Sequence, residues 1–165
     1  SPRNRAFVEG LGCYDHVVSY DEIAAVDSGR PTVFVDHAGD GPVVAAVHTH
    51  FADQLRHSAG VGATHWDRRR TPAALPGPVP SFFFAPSQFE KRQAEWGPAE
   101  FQERLGGAWQ RFLAFSDGWL EVVRGHGLAE VERVYREVLE GRAQPHQGHV
   151  LSLWDAGAAK TGSVG

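Results

Sequence analysis

The stretch PTVFVDHAGDGPVVAAVHTHFADQLRHSAGVGATHW, Pro31–Trp66, decides the fold. Thr32–Asp36 is a nearly continuous run of β-branched and aromatic residues, which predicts a strand covered on both faces. Gly39-Asp40-Gly41-Pro42 is a turn. After it Val43, Val44, Val47, Phe51 and Leu55 recur at three- and four-residue spacing, one apolar stripe along a helix. Arg56–Gly62 reads as the next strand, poor in apolar residues and rich in small ones. Small residues at a strand's carboxyl end let a ligand approach the backbone closely. Strand, glycine turn, amphipathic helix and strand make one βαβ unit, the building block of a parallel sheet.

On the amino-terminal side, Ser1-Pro2 is a helix start, with Ser at the cap and Pro in the first turn. Phe7, Val8 and Leu11 give that helix an apolar face and Gly12 stops it. His16–Tyr20 (HVVSY) reads as a short strand, and Asp21–Val26 as at most a helical turn. On the carboxyl-terminal side, residues 67–80 form a proline-rich loop with a basic start. Ser81–Pro86 (SFFFAP) is a short apolar strand. Ser87-x-x-Glu90 is a capping-box pattern opening a short helix that ends near Gly97. Pro98 starts a long helix whose expected buried face is Phe101, Leu105, Ala108, Trp109, Phe112, Phe115, Trp119 and Val122. Gly106-Gly107 and Gly118 predict a kink or break within it. A second helix covers Leu128–Leu139, with Gly141 at its end, and His149–Trp154 is a last strand. Residues 155–165 are a small-residue tail expected to be disordered.

Composition narrows the function classes. The 165 residues suffice for one core, and 42% of them are hydrophobic. Five Trp and ten Phe are many for this length. Such an excess marks core, or else a dimer face or a contact with another domain. A net charge of −4 gives no reason to expect nucleic acid or an anionic membrane as partner. Arg68-Arg69-Arg70 beside Trp66 is a solvated loop on this reading. No apolar run reaches the roughly 18–20 residues of a membrane span and there is no secretory signal, so a cytoplasmic protein is expected. A chain with no Met that begins Ser-Pro-Arg-Asn is expected to be a fragment or a processed product.

The reactive residue types form no self-evident catalytic set. Cys13, the single cysteine, follows a helix end, where a thiol is not activated. No G-x-S-x-G occurs. Among nine histidines, His48 and His50 lie two apart on a helix, about 200° around its axis, and cannot chelate one ion together. His37, His57 and His65 are singletons near strand ends. Gly39-x-Gly41 invites comparison with the G-x-G-x-x-G/A phosphate loop, but Val44 takes the third position and Pro42 lacks an N–H. It reads as a plain tight turn.

Two segments carry a family resemblance. The first is AFVEGLGCYDHVVSYDEI with PTVFVDHAGDGPVVAAVHTHF and RHSAGVGATHWD. The second and more specific is FFFAPSQFEKRQAEWGPAEFQERLGGAWQRFLAFSDGWLEVVRGHGLAEVERVYREVLEGR with GHVLSL. Together, nearly to Trp154, they resemble a bacterial family of uncharacterised proteins related to medium-chain dehydrogenase/reductases of the quinone-oxidoreductase type. The resemblance implies an α/β fold, a partial Rossmann-like doubly wound parallel sheet with C-terminal helices. Residues 1–66 would be the latter part of the nucleotide-binding region. Residues 81–154 would hold the final sheet strand, helices and a returning strand.

The resemblance also implies a longer protein, with a GroES-like domain, two Rossmann strands and the pyrophosphate loop upstream. NADP would be the cofactor and a small molecule the substrate, hydride passing to a carbonyl or activated alkene. Ser1, Arg3 and Asn4 would follow the second strand, at the adenosine ribose, where Arg suits a 2′-phosphate. Asp36 and Gly39 would end the fourth strand, Gly62 and Thr64 the fifth, and Phe84 and Ala85 the sixth, all on the nicotinamide side. His65 and Tyr20 are geometric possibilities for catalysis, and no catalytic residue is assigned. In a sheet of order 3-2-1-4-5-6 the strand His16–Tyr20 would have no neighbour here, which invites re-pairing or a homodimer. The alternative is a catalytically inactive or truncated binding or assembly module of the same family. A metal hydrolase built on the histidines is a third reading, and it predicts stoichiometric bound metal.

Overall fold

A computed structural model describes residues 2–62 and 74–154. The fold is α/β: small parallel sheets with helices, a partial Rossmann-like arrangement. It divides into two compact units, Ser1–Arg5 with Asp15–Gln102, and Ala6–Tyr14 with Glu103–Gly165.

The first unit is built on the βαβ stretch. Strand β1 is Thr32–Asp36 and β2 is Leu55–Gly60. They pair in parallel, with Phe34 opposite Ser58 and Asp36 opposite Gly60. Strand β3, only Ser81–Phe82, joins the other side of β2, so the order is β1-β2-β3. The apolar run Ser81–Pro86 yields two strand residues because Pro86 already lies in the helix that follows.

Between β1 and β2 runs helix α2, Gly41–Phe51, preceded in the chain by the short α1 of Arg5–Gly10. The Asp40 carboxylate caps α2 by accepting from the Val43 N–H at 3.3 Å, and Pro42 fits the first turn, where an N–H is not needed. The predicted stripe is the buried one. Val47, Phe51 and Leu55 meet Ile23 in the core, and Val26, Phe34 and Val43 pack around them. Among the described residues, that face of the sheet is the covered one: Val33 and Val35 on the other side of β1 are 60% and 48% exposed. The β-branched run therefore does not signify burial on both faces, because among the described residues α2 packs on one side alone.

His16–Tyr20 forms no strand. With no neighbouring strand to take its backbone groups, the segment is held by side chains instead. Arg5 Nη2 donates to the Val17 carbonyl at 3.0 Å, and Arg5 Nη1 reaches both oxygens of Glu22 at 2.9 and 3.1 Å. The Ser19 N–H and hydroxyl both donate to Glu22 Oε2 at 2.7 Å and open a short 3-10 turn, Tyr20–Ala25. These donors, the Ser19 backbone first and Arg5 after them, hold the Glu22 carboxyl down at about 2. The unpaired third strand expected of a Rossmann sheet does not arise.

Helix α3, Ala85–Trp96, starts two residues before the expected capping box, with Phe84 at its N-cap. Ser87 Oγ donates to the Phe84 carbonyl at 2.8 Å rather than capping. Helix α4, Pro98–Ser116, passes unbroken through Gly106-Gly107 and stops just before Gly118. Its aromatic stripe is not core. Phe101 is buried against Phe89, with ring centroids 5.4 Å apart, whereas Trp109 is 55% and Phe112 49% exposed.

The second unit contains a second βαβ arrangement. Strand β4 is Glu121–His126, α5 is Leu128–Leu139 and β5 is Gln147–Ser152. The strands pair in parallel in one register from Glu121↔Gln147 to His126↔Ser152. Sequence periodicity assigned Val122 to the long helix. The helix ends at Ser116, ahead of Gly118, and Val122 and Val123 sit in a strand whose partner residues, Gly148 and His149, lie 26 positions on. Gly127, at φ 81°, makes the sharp entry into α5, and its N–H donates to the Ser152 carbonyl at 2.9 Å. Phe7 packs edge-on against Trp119 at 5.7 Å.

Candidate functional site

In parallel α/β sheets, ligands bind at the carboxyl ends of the strands, where the chain turns away into helices. The first unit has a cleft of about 250 Å³ there. Phe34 and Asp36 of β1, Ser58 and Gly60 of β2, and Ser81 and Phe82 of β3 line it. Gly39, Val44, Gly62 and Pro80 complete the wall. Pockets that enclose a whole drug-sized ligand run from about 300 to 1,000 Å³. This one matches a single ring-sized group.

The turn after β1 is organised around Asp36. Its Oδ1 accepts from the N–H groups of Ala38 and Gly39, each at 2.9 Å. Its backbone carbonyl accepts from Val61 at 2.7 Å and Gly62 at 3.2 Å. Gly39 takes φ 69°, which the turn requires and a residue with a Cβ resists. A Cβ on Gly62 would run into the His37 carbonyl oxygen. The glycines thus serve the close approach of two chain segments and keep the rim low.

Behind the floor lies a buried polar pair. His48 of α2 is wholly buried, and Ser58 is 2% exposed. His48 Nδ1 lies 2.9 Å from the Pro76 carbonyl and Nε2 lies 2.9 Å from Ser58 Oγ. A carbonyl only accepts, so Nδ1 carries the hydrogen, and in the neutral ring Nε2 accepts from the Ser58 hydroxyl. The Phe34 ring meets His48 edge-on at 6.5 Å. His50 turns elsewhere, its Nε2 lying 2.7 Å from the Val26 carbonyl. The two histidines share no partner, as helix geometry predicts. A serine hydrogen-bonded to an oriented histidine has the outline of a nucleophile, but acyl transfer also needs N–H donors for an oxyanion. Those of Gly39, Val61 and Gly62 are all directed to Asp36.

Of the residues proposed from sequence, Asp36, Gly39 and Gly62 come together at this cleft. Phe84 and Ala85 do not line it: Phe84 is the N-cap of α3, more than half exposed, and Ala85 opens that helix. Arg3 and Asn4 lie in the 3-10 turn Pro2–Asn4, also away from the cleft lining. Ser1, Thr64 and His65 lie outside the described residues. Tyr20 begins the short 3-10 turn and is exposed. Phe34, Ser58, Gly60, Ser81 and Phe82 were missed. For Ser58 and Gly60 the signal was the small-residue run at the end of β2. Nothing local marked Ser81, whose place depends on a two-residue strand pairing.

Cys13 is exposed and free. Among the described residues, no three His, Cys, Asp or Glu side chains are grouped to hold a metal, and no helix is long and apolar enough to cross a membrane. No curated protein and no solved structure matches the chain. The family model described as a protein of unknown function, DUF2855, matches residues 1–144. With that share of its length matched, the chain belongs to the DUF2855 family.

Proposed function

We propose that this chain contributes the nicotinamide end of the cofactor site in an NADP-dependent oxidoreductase of the medium-chain type. The cofactor would bring the hydride chemistry. The observation that carries the reading is the cleft across the carboxyl ends of three parallel strands, of a size for one ring and floored by Phe34, Ser58 and Gly60. The two sequence segments that resemble a family related to quinone oxidoreductases point to the same assignment, and the substrate would be a small carbonyl compound or activated alkene. The residues of the turn after β1 do not fit a pyrophosphate. Gly39 N–H is committed to Asp36, Val43 N–H to Asp40, and Pro42 has none. A phosphate-binding loop would therefore lie in other residues, and this chain by itself would hold the dinucleotide weakly.

Amide chemical shifts of the purified chain under NADP titration test the reading. Perturbations confined to Asp36, Gly39, Gly60 and Ser81, with weak affinity, are expected. Shifts elsewhere, or none up to millimolar NADP, would overturn it.

A second reading, a binding or assembly module without chemistry, is favoured by the exposed aromatic row on α4, where Trp109 stacks on Phe112 with centroids 5.7 Å apart. Sedimentation equilibrium separates the two. A dimer that Trp109→Ala dissociates, in a protein silent to NADP, would favour the module.

A further inference from the structure

The hydrogen-bond polarity of the cleft is set by the protein's own internal bonds. With the His48 ring neutral and its Nδ1–H on the Pro76 carbonyl, Ser58 donates its one hydroxyl hydrogen to Nε2. The Ser81 hydroxyl donates to the Ser58 carbonyl at 3.2 Å. What both hydroxyls have left is lone pairs. Asp36 uses Oδ1 on two backbone N–H groups and, as a carboxylate, has further lone pairs to offer. The backbone donors at the rim are spent as well: Gly39 on Asp36 Oδ1, Val61 and Gly62 on the Asp36 carbonyl, and Phe83 on the Gly60 carbonyl at 2.9 Å. No Lys, Arg or His is among the described residues that line the cleft. The described polar wall accepts hydrogen bonds and carries one negative charge, while Phe34, Val44, Pro80 and Phe82 supply apolar surface.

We propose that the cleft selects a flat group bearing N–H donors and no negative charge, a primary amide or its cationic amidine or amine counterpart, and rejects carboxylates and phosphates. A donor entering here pairs with the Asp36 carboxylate and the Ser81 hydroxyl. Among the described lining residues, an anion would lose its hydration, meet lone pairs and sit beside a carboxylate. Rejection by unpaired acceptors is the sharper half of the specificity. The inference deepens the assignment of this cleft to the amide-bearing nicotinamide ring and rests on the cleft being a ligand site. It predicts, beyond that, that the ring's carboxamide cannot be replaced by carboxylate.

Three isosteric probes decide it: benzamide, benzamidine and benzoate, each titrated into the 165-residue chain and followed by amide shifts of Gly39, Gly60 and Ser81. Benzamide and benzamidine are expected to bind there, with benzoate at least about tenfold weaker. Asp36→Asn keeps an oxygen for the Ala38 and Gly39 N–H groups but removes the charge. It should weaken benzamidine more than benzamide and improve benzoate. Ser81→Ala, at an exposed position with little bearing on folding, should weaken benzamide and leave benzoate unchanged. Benzoate binding as well as benzamide, none of the three binding, or an unaltered order in Asp36→Asn would each overturn the inference. If NADP shifts these amides but benzoate equals benzamide, the cofactor reading stands and the polarity inference falls. If benzamide binds with the stated order and NADP does not, the reverse holds.

Discussion

His48 Nε2 and Ser58 Oγ lie 2.9 Å apart, and this hydrogen bond joins the buried side of α2 to the floor of the cleft. It is the link between the core of the first unit and its candidate site, since the same serine is sealed from bulk solvent and lines the pocket. Its value is asymmetric. Making it contributes modestly, but breaking it strands a buried ring nitrogen.

Ser58→Ala should therefore destabilise the first unit by about 1–3 kcal/mol, because His48 Nε2 is left buried without a donor. Ser58→Thr keeps the hydroxyl and should recover part of the loss. Hydrogen exchange of β2 amides reads the effect locally. Protection unchanged in Ser58→Ala would show that the pair carries no such strain.

Glu22 should titrate near 2 in the folded protein against an ordinary 4.5, because its charged form accepts from the Ser19 N–H and hydroxyl and pairs with Arg5. The sign follows from the lowered value. The carboxylate's contribution to folding is complete above about pH 4.5 and is lost as pH falls toward 2. An NMR titration of the Glu22 side chain, with the acid-unfolding curve of Glu22→Gln, checks both halves. A Glu22 midpoint near 4.5, or an acid limb identical in Glu22→Gln, would contradict the geometry.

The two glycines at the end of β2 should respond oppositely. Gly62→Ala puts a methyl group against the His37 carbonyl and should cost about 1–3 kcal/mol, since backbone cannot move aside cheaply. At Gly60 the nearest atom to an added Cβ is the Ser81 carbonyl oxygen at 3.9 Å, ordinary contact. Gly60→Val should fold and occupy part of the cleft, lowering affinity for any ligand there at nearly unchanged stability. Denaturant midpoints and probe titrations of both variants give the comparison.

Gly106→Ala should stabilise α4 by about 0.4–1 kcal/mol, because the helix runs straight through this position and a Cβ there meets nothing within 4 Å. Gly125→Ala should do the reverse in the second unit, where the new methyl would meet Glu130 Cγ at 2.5 Å and Leu151 Cδ2 at 2.9 Å. Thermal unfolding measures both. A loss of stability in Gly106→Ala would mean that α4 bends at that pair of glycines.

Local chemistry accounts for the elements that were legible in advance. The α2 stripe, the turn of Gly39 to Pro42, and α5 between Gly127 and Gly141 each rest on interactions within a few residues, so spacing and caps suffice to place them. Even the capping pattern was present in the letters, but twice. Ser19-x-x-Glu22 makes its reciprocal bond, while Ser87-x-x-Glu90 lies inside a helix that had already begun at Ala85. Which copy acts depends on where the neighbouring chain enters.

Long-range pairing accounts for the rest. His16–Tyr20 looks like a strand and is none, because no described strand lies beside it and Arg5 takes the Val17 carbonyl instead. Val122 falls on the spacing of the long helix and lies instead in the strand Glu121–His126, because β5 lies alongside it. The glycines and Asp36 of the candidate site were readable as a turn after a strand. Residue order alone could announce a βαβ unit and a glycine turn unsuited to phosphate, since both follow from side-chain type and short spacing. The tertiary structure decided that Ser58, Ser81 and Asp36 would share one cleft, and that their donors would already be spent. Hydrogen-bond polarity depends on which atoms meet across the fold, and residues as far apart as Ser58 and Ser81, 23 positions, meet only once it has formed.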